Sequence, residues 1–414
     1  MALRYLKGDV FSLRVGIFID KPIPEAGGTY TLLDTIIQDI VSSDCDCEYE
    51  FCFFFNDPNA PQRYNKNKTN FINCYQPPPS PPEEPSLLTR FKRKILHIFF
   101  DQKIKINEQT KKKEEDIFKK ENIDLLWFLG PYGANTTVPF VFTVWDLGYR
   151  IFPFFPEYEG DIWEIREYLD NRMLKKATYI ITGNQIGKNE IIINYSVAPE
   201  KIHIIPFPLP KFCFEDAKMD NSSCISIKYP FIFYPAQFWA HKNHVILIEA
   251  IAWLRDSKKI IVNCYFTGHD HGNMTHISNM IKKYNLSNQI FLPGFVPQED
   301  IIYLYKNALA MVYPSFLGPN NLPLLEAIAF GCPLIYSNIS GHIEQMEGVG
   351  IPFDPTNYID LGESILGIYN DSKLREDIIS KERIFFEKYK SYSYFSKMKE
   401  IIDEFFVFYK TWKE

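Results

Sequence analysis

Two residues in this chain carry charge where charge needs a purpose. From Leu322 to Phe330 every residue except Glu326 is apolar, so a helix there is buried and its carboxylate must find donors. Two readings stay open: a structural carboxylate held by a backbone N–H or a lysine, or an acceptor for a sugar diol at the carboxyl edge of a parallel sheet, where open α/β sheets bind nucleotides. Lys242 stands just before a second helix, after a loop carrying Gln237 and Trp239. A lysine beside helix-end amides suits a diphosphate, because both supply positive charge where a leaving phosphate gains negative charge. The plain alternative is a solvated surface lysine.

Fewer residues argue for chemistry in the first half. The pair Gly27-Gly28 follows the first predicted strand, where backbone amides can approach a phosphate closely, though an ordinary turn would look the same. Glu25 beside it reads as a solvated loop residue. Trp145-Asp146-Leu147-Gly148-Tyr149-Arg150 follows a predicted strand directly, and Asp146 there either binds a substrate hydroxyl or caps the next turn. Asp44 and Asp46 form an Asp-x-Asp in a polar turn, and His269 and His271 follow a strand without a third ligand at metal-binding spacing. Neither a nucleophile elbow nor a P-loop lysine motif is present.

The elements that must position these groups alternate. Strands are expected at Leu13–Ile19, Tyr49–Phe55, Leu125–Leu129, Pro139–Val144, Thr178–Thr182 and Lys201–Ile205, with helices at about 29–41, 162–175 and 185–195. A second series begins at Phe231, with strands at 231–234, 260–266, 289–292, 308–313 and 334–336. Asn243 is expected to cap one helix, with Val245, Ile248 and Ala252 on its inner face, and Asn321 to cap another, with Pro323 in its first turn. Such alternation predicts α/β architecture: two Rossmann-like, doubly wound parallel sheets facing across a cleft. The 414 residues exceed what one core usually serves, which places a first domain at 1–210, a second at 225–389, and a closing helix at about 390–414 that crosses back to the first.

Residues 56–120 interrupt this pattern. They hold the tract Pro77–Pro82, the charged run Lys111–Asp116, and Leu87–Phe100, whose apolar face is ringed by Arg90, Lys92, Arg93 and Lys94. The last is either a helix lying on anionic lipid or an insertion packed on its own domain. A net charge of −6 gives no pull toward nucleic acid. The eight cysteines lack paired zinc spacing and read as reduced thiols. With no signal peptide and no membrane-length apolar run, a cytoplasmic protein, possibly peripheral on the inner face of the cell membrane, is the simplest account.

Taken together, Tyr234-Pro-Ala-Gln-Phe-Trp-Ala-His-Lys242-Asn-His, Phe266-Thr-Gly-His, Leu292-Pro-Gly-Phe-Val and Leu322-Pro-Leu-Leu-Glu-Ala-Ile-Ala-Phe-Gly-Cys-Pro resemble the retaining nucleotide-sugar glycosyltransferases of family 4, which have the GT-B fold. A looser likeness extends through Gly27-Gly28, Val144–Glu157 and Ala198–Pro206. The resemblance implies that Glu326 is the second glutamate of the Glu-x7-Glu motif and binds the donor ribose, and that Lys242 holds the diphosphate. The Gly27-Gly28 loop would close over phosphate and sugar. Gln237, Gly268, Phe295, Asn320, Asn321 and Leu322 would complete the donor site, Asp146 would join Lys242 and Glu326 in catalysis, and Trp145 and Arg150 would face donor sugar or acceptor. It further implies retention of anomeric configuration, no metal or other cofactor, a nucleotide-sugar donor, and a glycan or lipid-linked acceptor in surface polysaccharide assembly. Three positions depart from the family pattern: Gly318 replaces the first glutamate, Gln237 an arginine, and Trp145 a histidine. Those departures keep a non-catalytic glycan-binding protein open, and an epimerase of the same architecture behind it.

Overall fold

The computed structural model describes residues 12–19, 28–43, 49–55, 70–73, 117–134, 136–214 and 226–413. The Pro77–Pro82 tract, Leu87–Phe100, Lys111–Asp116, the Asp44/Asp46 pair, Glu25 and Gly27 lie outside the described residues.

A seven-stranded parallel sheet runs in the order β3-β2-β1-β4-β5-β6-β7, built from Asn70–Asn73 (β3), Tyr49–Phe55 (β2), Leu13–Ile19 (β1), Leu125–Phe128 (β4), Phe140–Thr143 (β5), Tyr179–Thr182 (β6) and Ile202–Ile204 (β7). A six-stranded parallel sheet follows in the order β10-β9-β8-β11-β12-β13, from Ile290–Gly294, Asn263–Thr267, Phe231–Pro235, Ala310–Tyr313, Leu334–Ser337 and Ile351–Phe353. Strands such as LRVGIFI and YEFCFFF are apolar almost throughout because both faces of a parallel sheet are covered. In both sheets the chain reverses direction beside the first strand, between β1 and β4 and between β8 and β11. That reversal opens the crevice where α/β sheets bind ligands.

The helices are Gly28–Ser42 (α1), Asp161–Lys176 (α2), Gln185–Tyr195 (α3), His244–Trp253 (α4), Met274–Lys283 (α5), Gln298–Asn307 (α6), Leu322–Ala329 (α7), Ser340–Met346 (α8), Tyr358–Asn370 (α9), Ser372–Lys390 (α10) and Tyr394–Lys413 (α11). Two expectations change here. Helix α4 is not a one-sided stripe: Ile246, Leu247, Ile248, Ala250, Ile251 and Ala252 are all buried, since α9 covers the face turned away from the sheet. Asn243 does not cap it through its side chain; it adopts a left-handed conformation (φ 55°) and donates to the Pro355 carbonyl at 2.9 Å. The expected strand at 260–266 is shortened to begin at Asn263, after the α4 extension ends at Lys258. Helices α6, α8, α9 and α10 had no counterpart in the sequence reading.

The closing helix expected at about 390–414 is α11, and a further helix, α10, precedes it. Asp371 caps α10 by accepting from the amides of Lys373 at 2.9 Å and Leu374 at 3.0 Å. The chain then breaks, and α11 packs on the first sheet. Asp39 of α1 accepts from the Phe395 amide at 2.9 Å, placing a carboxylate at the α11 N-terminus. Trp127 of β4 stacks on Tyr394 at 5.9 Å, and Phe51 of β2 meets Phe395 edge-on at 5.5 Å. Tyr394, Met398 and Ile402 are fully buried while Val407 and Phe408 face solvent. Among the described residues no helix is long and apolar enough to cross a membrane.

This packing predicts that Ile402→Ala removes about 2–5 kcal/mol of stability through the cavity it leaves, lowering the thermal unfolding midpoint. Val407→Ala, on the exposed face of the same helix, is expected to stay within about 0.5 kcal/mol of the parent. Equal midpoints for the two variants would contradict the docking of α11.

Candidate active site

The crevice between β8 and β11 is built from the loops that leave those strands. After β8, the Tyr234 hydroxyl donates to the Lys242 carbonyl at 2.7 Å and fixes a short turn, Ala240–Lys242. His244 behind it is buried, stacked on Phe238 at 4.7 Å, and burial pushes its pKa down to about 3, so it is a neutral ring of the core. After β11, the Phe316 amide donates to the His241 carbonyl at 2.9 Å, tying the two loops together. The Lys242 ammonium emerges over the Tyr313 ring, 5.1 Å from its centroid, and donates to the Tyr313 hydroxyl at 2.8 Å.

From Tyr313 the contacts continue inward. Its hydroxyl lies 2.8 Å from Asn321 Oδ1, Asn321 Nδ2 lies 2.8 Å from His342 Nε2, and His342 Nδ1 lies 3.1 Å from the Ser337 carbonyl. Asn321 precedes α7 but does not cap it through its side chain, contrary to the sequence expectation. Its backbone N–H is taken instead by Gln345 Oε1 at 2.9 Å. Gly318 explains its own departure from the family pattern: its φ is +121°, and a Cβ there would lie 2.3 Å from Asn321 Nδ2. The Asn321 amide occupies the space a side chain at 318 would need. Asn320 turns the other way, against Gly183, where a Cβ would lie 2.3 Å from its Nδ2.

Glu326 lies farther along α7. Its Oε2 accepts from the Tyr305 hydroxyl of α6 at 3.0 Å, and burial pushes its carboxyl up to about 7 against the opposing pull of that bond. It has no hydrogen bond to the line that starts at Lys242. Leu322, at the start of the same helix, packs against the cores of both sheets. On the neighbouring strand ends, Gly268 has φ +150°, and a Cβ would lie 2.5 Å from the Ala236 carbonyl, so β8 and β9 can approach this closely only at a glycine. Gln237 accepts from Trp239 Nε1 at 3.0 Å. Phe295 is 56% exposed and stacks on His269 at 4.7 Å, while Trp239 stacks on His271 at 4.1 Å. Both histidines are thus ring partners, and among the described residues no three metal-ligating side chains cluster.

The first sheet contributes Asp146, at the end of β5. Its Oδ1 accepts from the Gly148 amide at 2.8 Å and pairs with Arg166 of α2 at 3.3 Å; Arg166 also donates to the Asp146 carbonyl at 3.0 Å. Desolvation works to raise the Asp146 carboxyl, but Arg166 and the Gly148 amide outweigh it, and the group stays below its ordinary range. Trp145 is anchored by Nε1 donating to the Leu129 carbonyl at 3.2 Å. Arg150 is engaged within its own domain, paired with both oxygens of Glu167 and lying 4.8 Å over the Tyr195 ring, so its guanidinium acts as a strut of the first domain. Of the predicted glycine pair, Gly28 is the first residue of α1.

Across the interface, Glu157 takes both the His241 backbone N–H at 3.2 Å and the His241 ring Nδ1. Burial lowers the imidazole more than this carboxylate raises it, so the ring is neutral and donates. Glu344 of α8 accepts from the Gln185 and Ile186 amides at 2.7 and 2.8 Å, at the α3 N-terminus, and Asn184 Nδ2 donates to the Pro319 carbonyl at 2.5 Å. The structure therefore joins Lys242, Asn321 and Tyr313 in one cluster, with Gln237, Gly268 and Phe295 on adjacent strand ends and Asp146 opposite. Sequence reasoning missed Tyr313, His342, Tyr305, Arg166 and Glu344. Only a tyrosine ending a buried strand, and a histidine following another, offered a signal.

Residues 216–385 match the family described as glycosyl transferases group 1. The facing sheets are the GT-B architecture. Over 211 residues the chain is 39% identical to the O-antigen chain mannosyltransferase B of Escherichia coli, covering 49% of this chain and 54% of that protein. The chain spans about half the length of the curated relatives it matches. A glycosyltransferase from Rickettsia africae superposes with a TM-score of 0.65 at 18% identity, covering 95% of this chain and 98% of that one. Anabaena HepE in complex with UDP-glucose superposes with a TM-score of 0.67 at 15% identity, covering 95% and 100%.

The geometry at Gly318 predicts that Gly318→Ala costs about 1–3 kcal/mol, through left-handed strain and collision with Asn321. Gly28→Ala, where a Cβ meets nothing within 4 Å, is expected to leave the thermal midpoint unchanged or slightly raised. A neutral Gly318→Ala would show that the loop adapts and that Asn321 does not hold that space.

Proposed function

We propose that this chain is a retaining, metal-independent glycosyltransferase. It moves a sugar from a nucleoside-diphosphate donor to a glycan or lipid-linked saccharide in surface polysaccharide assembly, from the cytoplasmic side. The observation that carries the reading is the Lys242 ammonium at the β8/β11 crevice, held by a neutral phenol and so keeping its charge for an anion. The likeness to an O-antigen mannosyltransferase supports the class of product and puts a mannosyl donor first among those to test.

In this reading the donor diphosphate lies against Lys242 and the ribose hydroxyls donate to Glu326. The acceptor oxygen attacks C1 as the bond from C1 to the phosphate oxygen breaks, and the acceptor proton passes to that departing oxygen. Attack from the face the phosphate leaves keeps the configuration and needs no side-chain base. Lys242 contributes by favouring the developing phosphate charge. Asp146, ionised and steadied by Arg166, faces the sugar from the opposite sheet. One observation favours the runner-up, a binding protein without turnover: the Trp145 indole N–H is spent on Leu129, so it offers substrate only a ring face.

Transfer from GDP-mannose, UDP-glucose and UDP-N-acetylglucosamine to lipid-linked saccharides separates the two. Lys242→Ala is expected to lower kcat/KM by about 10²–10³-fold, the range for removing one oxyanion-stabilising donor; turnover at the parent rate would remove Lys242 from the mechanism. Donor binding without transfer across the panel would favour the binding protein.

A pH dependence follows from Glu326. Burial pushes its carboxyl up to about 7, and ribose hydroxyls bind the ionised form better. Nucleotide affinity is therefore expected to rise from about pH 6 to about pH 8 and level off above. Glu326→Gln should bind weakly at every pH with that slope gone. A slope that survives the substitution would assign it to another group.

A further inference from the structure

The line from Lys242 to Ser337 has a direction, and its buried end sets it. The Ser337 carbonyl can only accept, so His342 Nδ1, 3.1 Å away, carries a proton. A neutral imidazole has one, so Nε2 is bare and accepts. Its partner at 2.8 Å must then be the amide nitrogen of Asn321. A second contact requires the same orientation independently: the Gly318 carbonyl, which also can only accept, lies 3.2 Å from that nitrogen. Oδ1 is thereby turned to Tyr313, whose hydroxyl donates its single proton at 2.8 Å and presents lone pairs to the Lys242 ammonium, also at 2.8 Å.

We infer that His342 is a positioning residue for Lys242, fixing the Asn321 amide so that Tyr313 offers the ammonium lone pairs and never its proton. The inference rests on Lys242 being the phosphate-binding residue and adds what aims it. The opposite tautomer would turn the Asn321 oxygen to Nε2. The amide nitrogen would then donate to Tyr313, the phenol proton would turn toward a positive charge, and Gly318 would lose its donor. Burial and the nearby Lys242 hold His342 neutral, with a pKa down to about 3, so the tautomer is stable throughout the working range. Gly318 belongs to the same device, because the absence of a Cβ leaves room for the amide.

Two measurements on the full chain test this. The first needs no ligand: NMR of 15N-histidine protein, with the His342 signals assigned by their loss in His342→Phe. A protonated Nδ1 and bare Nε2 on His342 are expected between about pH 6 and about pH 8; a protonated Nε2 overturns the inference. The second is calorimetric affinity for UDP, GDP, ADP and dTDP. Tyr313→Phe and His342→Phe are each expected to weaken the best of these by about tenfold, the scale of one hydrogen bond to a charged group. His342→Gln, whose Oε1 can accept where Nε2 does, should recover most of the loss. The double variant should be no weaker than Tyr313→Phe alone, since the line is already cut. Parent affinity in His342→Phe, losses that add, or a lowered thermal midpoint with unchanged affinity would overturn the positioning role. If the parent binds none of the four nucleotides, the functional reading falls and takes the link to phosphate with it, while the tautomer result still reports on the line itself.

Discussion

A lysine proposed to bind phosphate must be held still without having its charge cancelled, and the contact between Lys242 and Tyr313 meets that constraint. A carboxylate partner would orient the ammonium as well but would oppose the binding of an anion. A phenol orients it with lone pairs and leaves the net charge intact. The rest of the second sheet serves that contact. Tyr313 is the last residue of β11, Lys242 sits on the turn after β8, and these strands flank the point where the sheet reverses direction. The apolar character of α4 and α7 follows from their packing, α4 against α9 and α7 against α10 and the strands β11 and β12.

Closure between the sheets combines polar contacts with apolar ones, the Phe155 ring of the first domain lying 6.2 Å from Phe316 of the second. Glu157 grips the His241 turn and Glu344 caps the first turn of α3, so each domain places one carboxylate on backbone amides of the other. Among the described residues Leu322 packs against both cores. Arg166 ties Asp146 to α2 from within the first domain, so the acid is placed before the interface forms.

The positions of most strands were legible in the sequence because parallel strands are buried on both faces and read as short apolar runs between turn residues. Leu13–Ile19, Tyr49–Phe55 and Gln185–Tyr195 come out with the expected boundaries. Helix α10 did not, because its charged outer face dilutes the periodic signal and its start is marked only by Asp371. The places of Lys242 and Glu326, before a helix start and within an apolar helix, were legible through their surroundings. The line behind Lys242 was not. Tyr313, Asn321 and His342 come from three segments, and only the β11/β12 pairing brings them together. The caps assigned to Asn243 and Asn321 failed for a related reason: both amides found tertiary partners that local sequence does not reveal.

The most direct measurement is a crystal structure of the full chain with a bound nucleoside diphosphate. The account predicts phosphate oxygens within hydrogen-bonding distance of Lys242 Nζ, with Tyr313 still behind it, and ribose hydroxyls on the Glu326 carboxylate. A nucleotide bound elsewhere, or one that reaches this crevice while Lys242 and Glu326 both stay on their present partners, would contradict it.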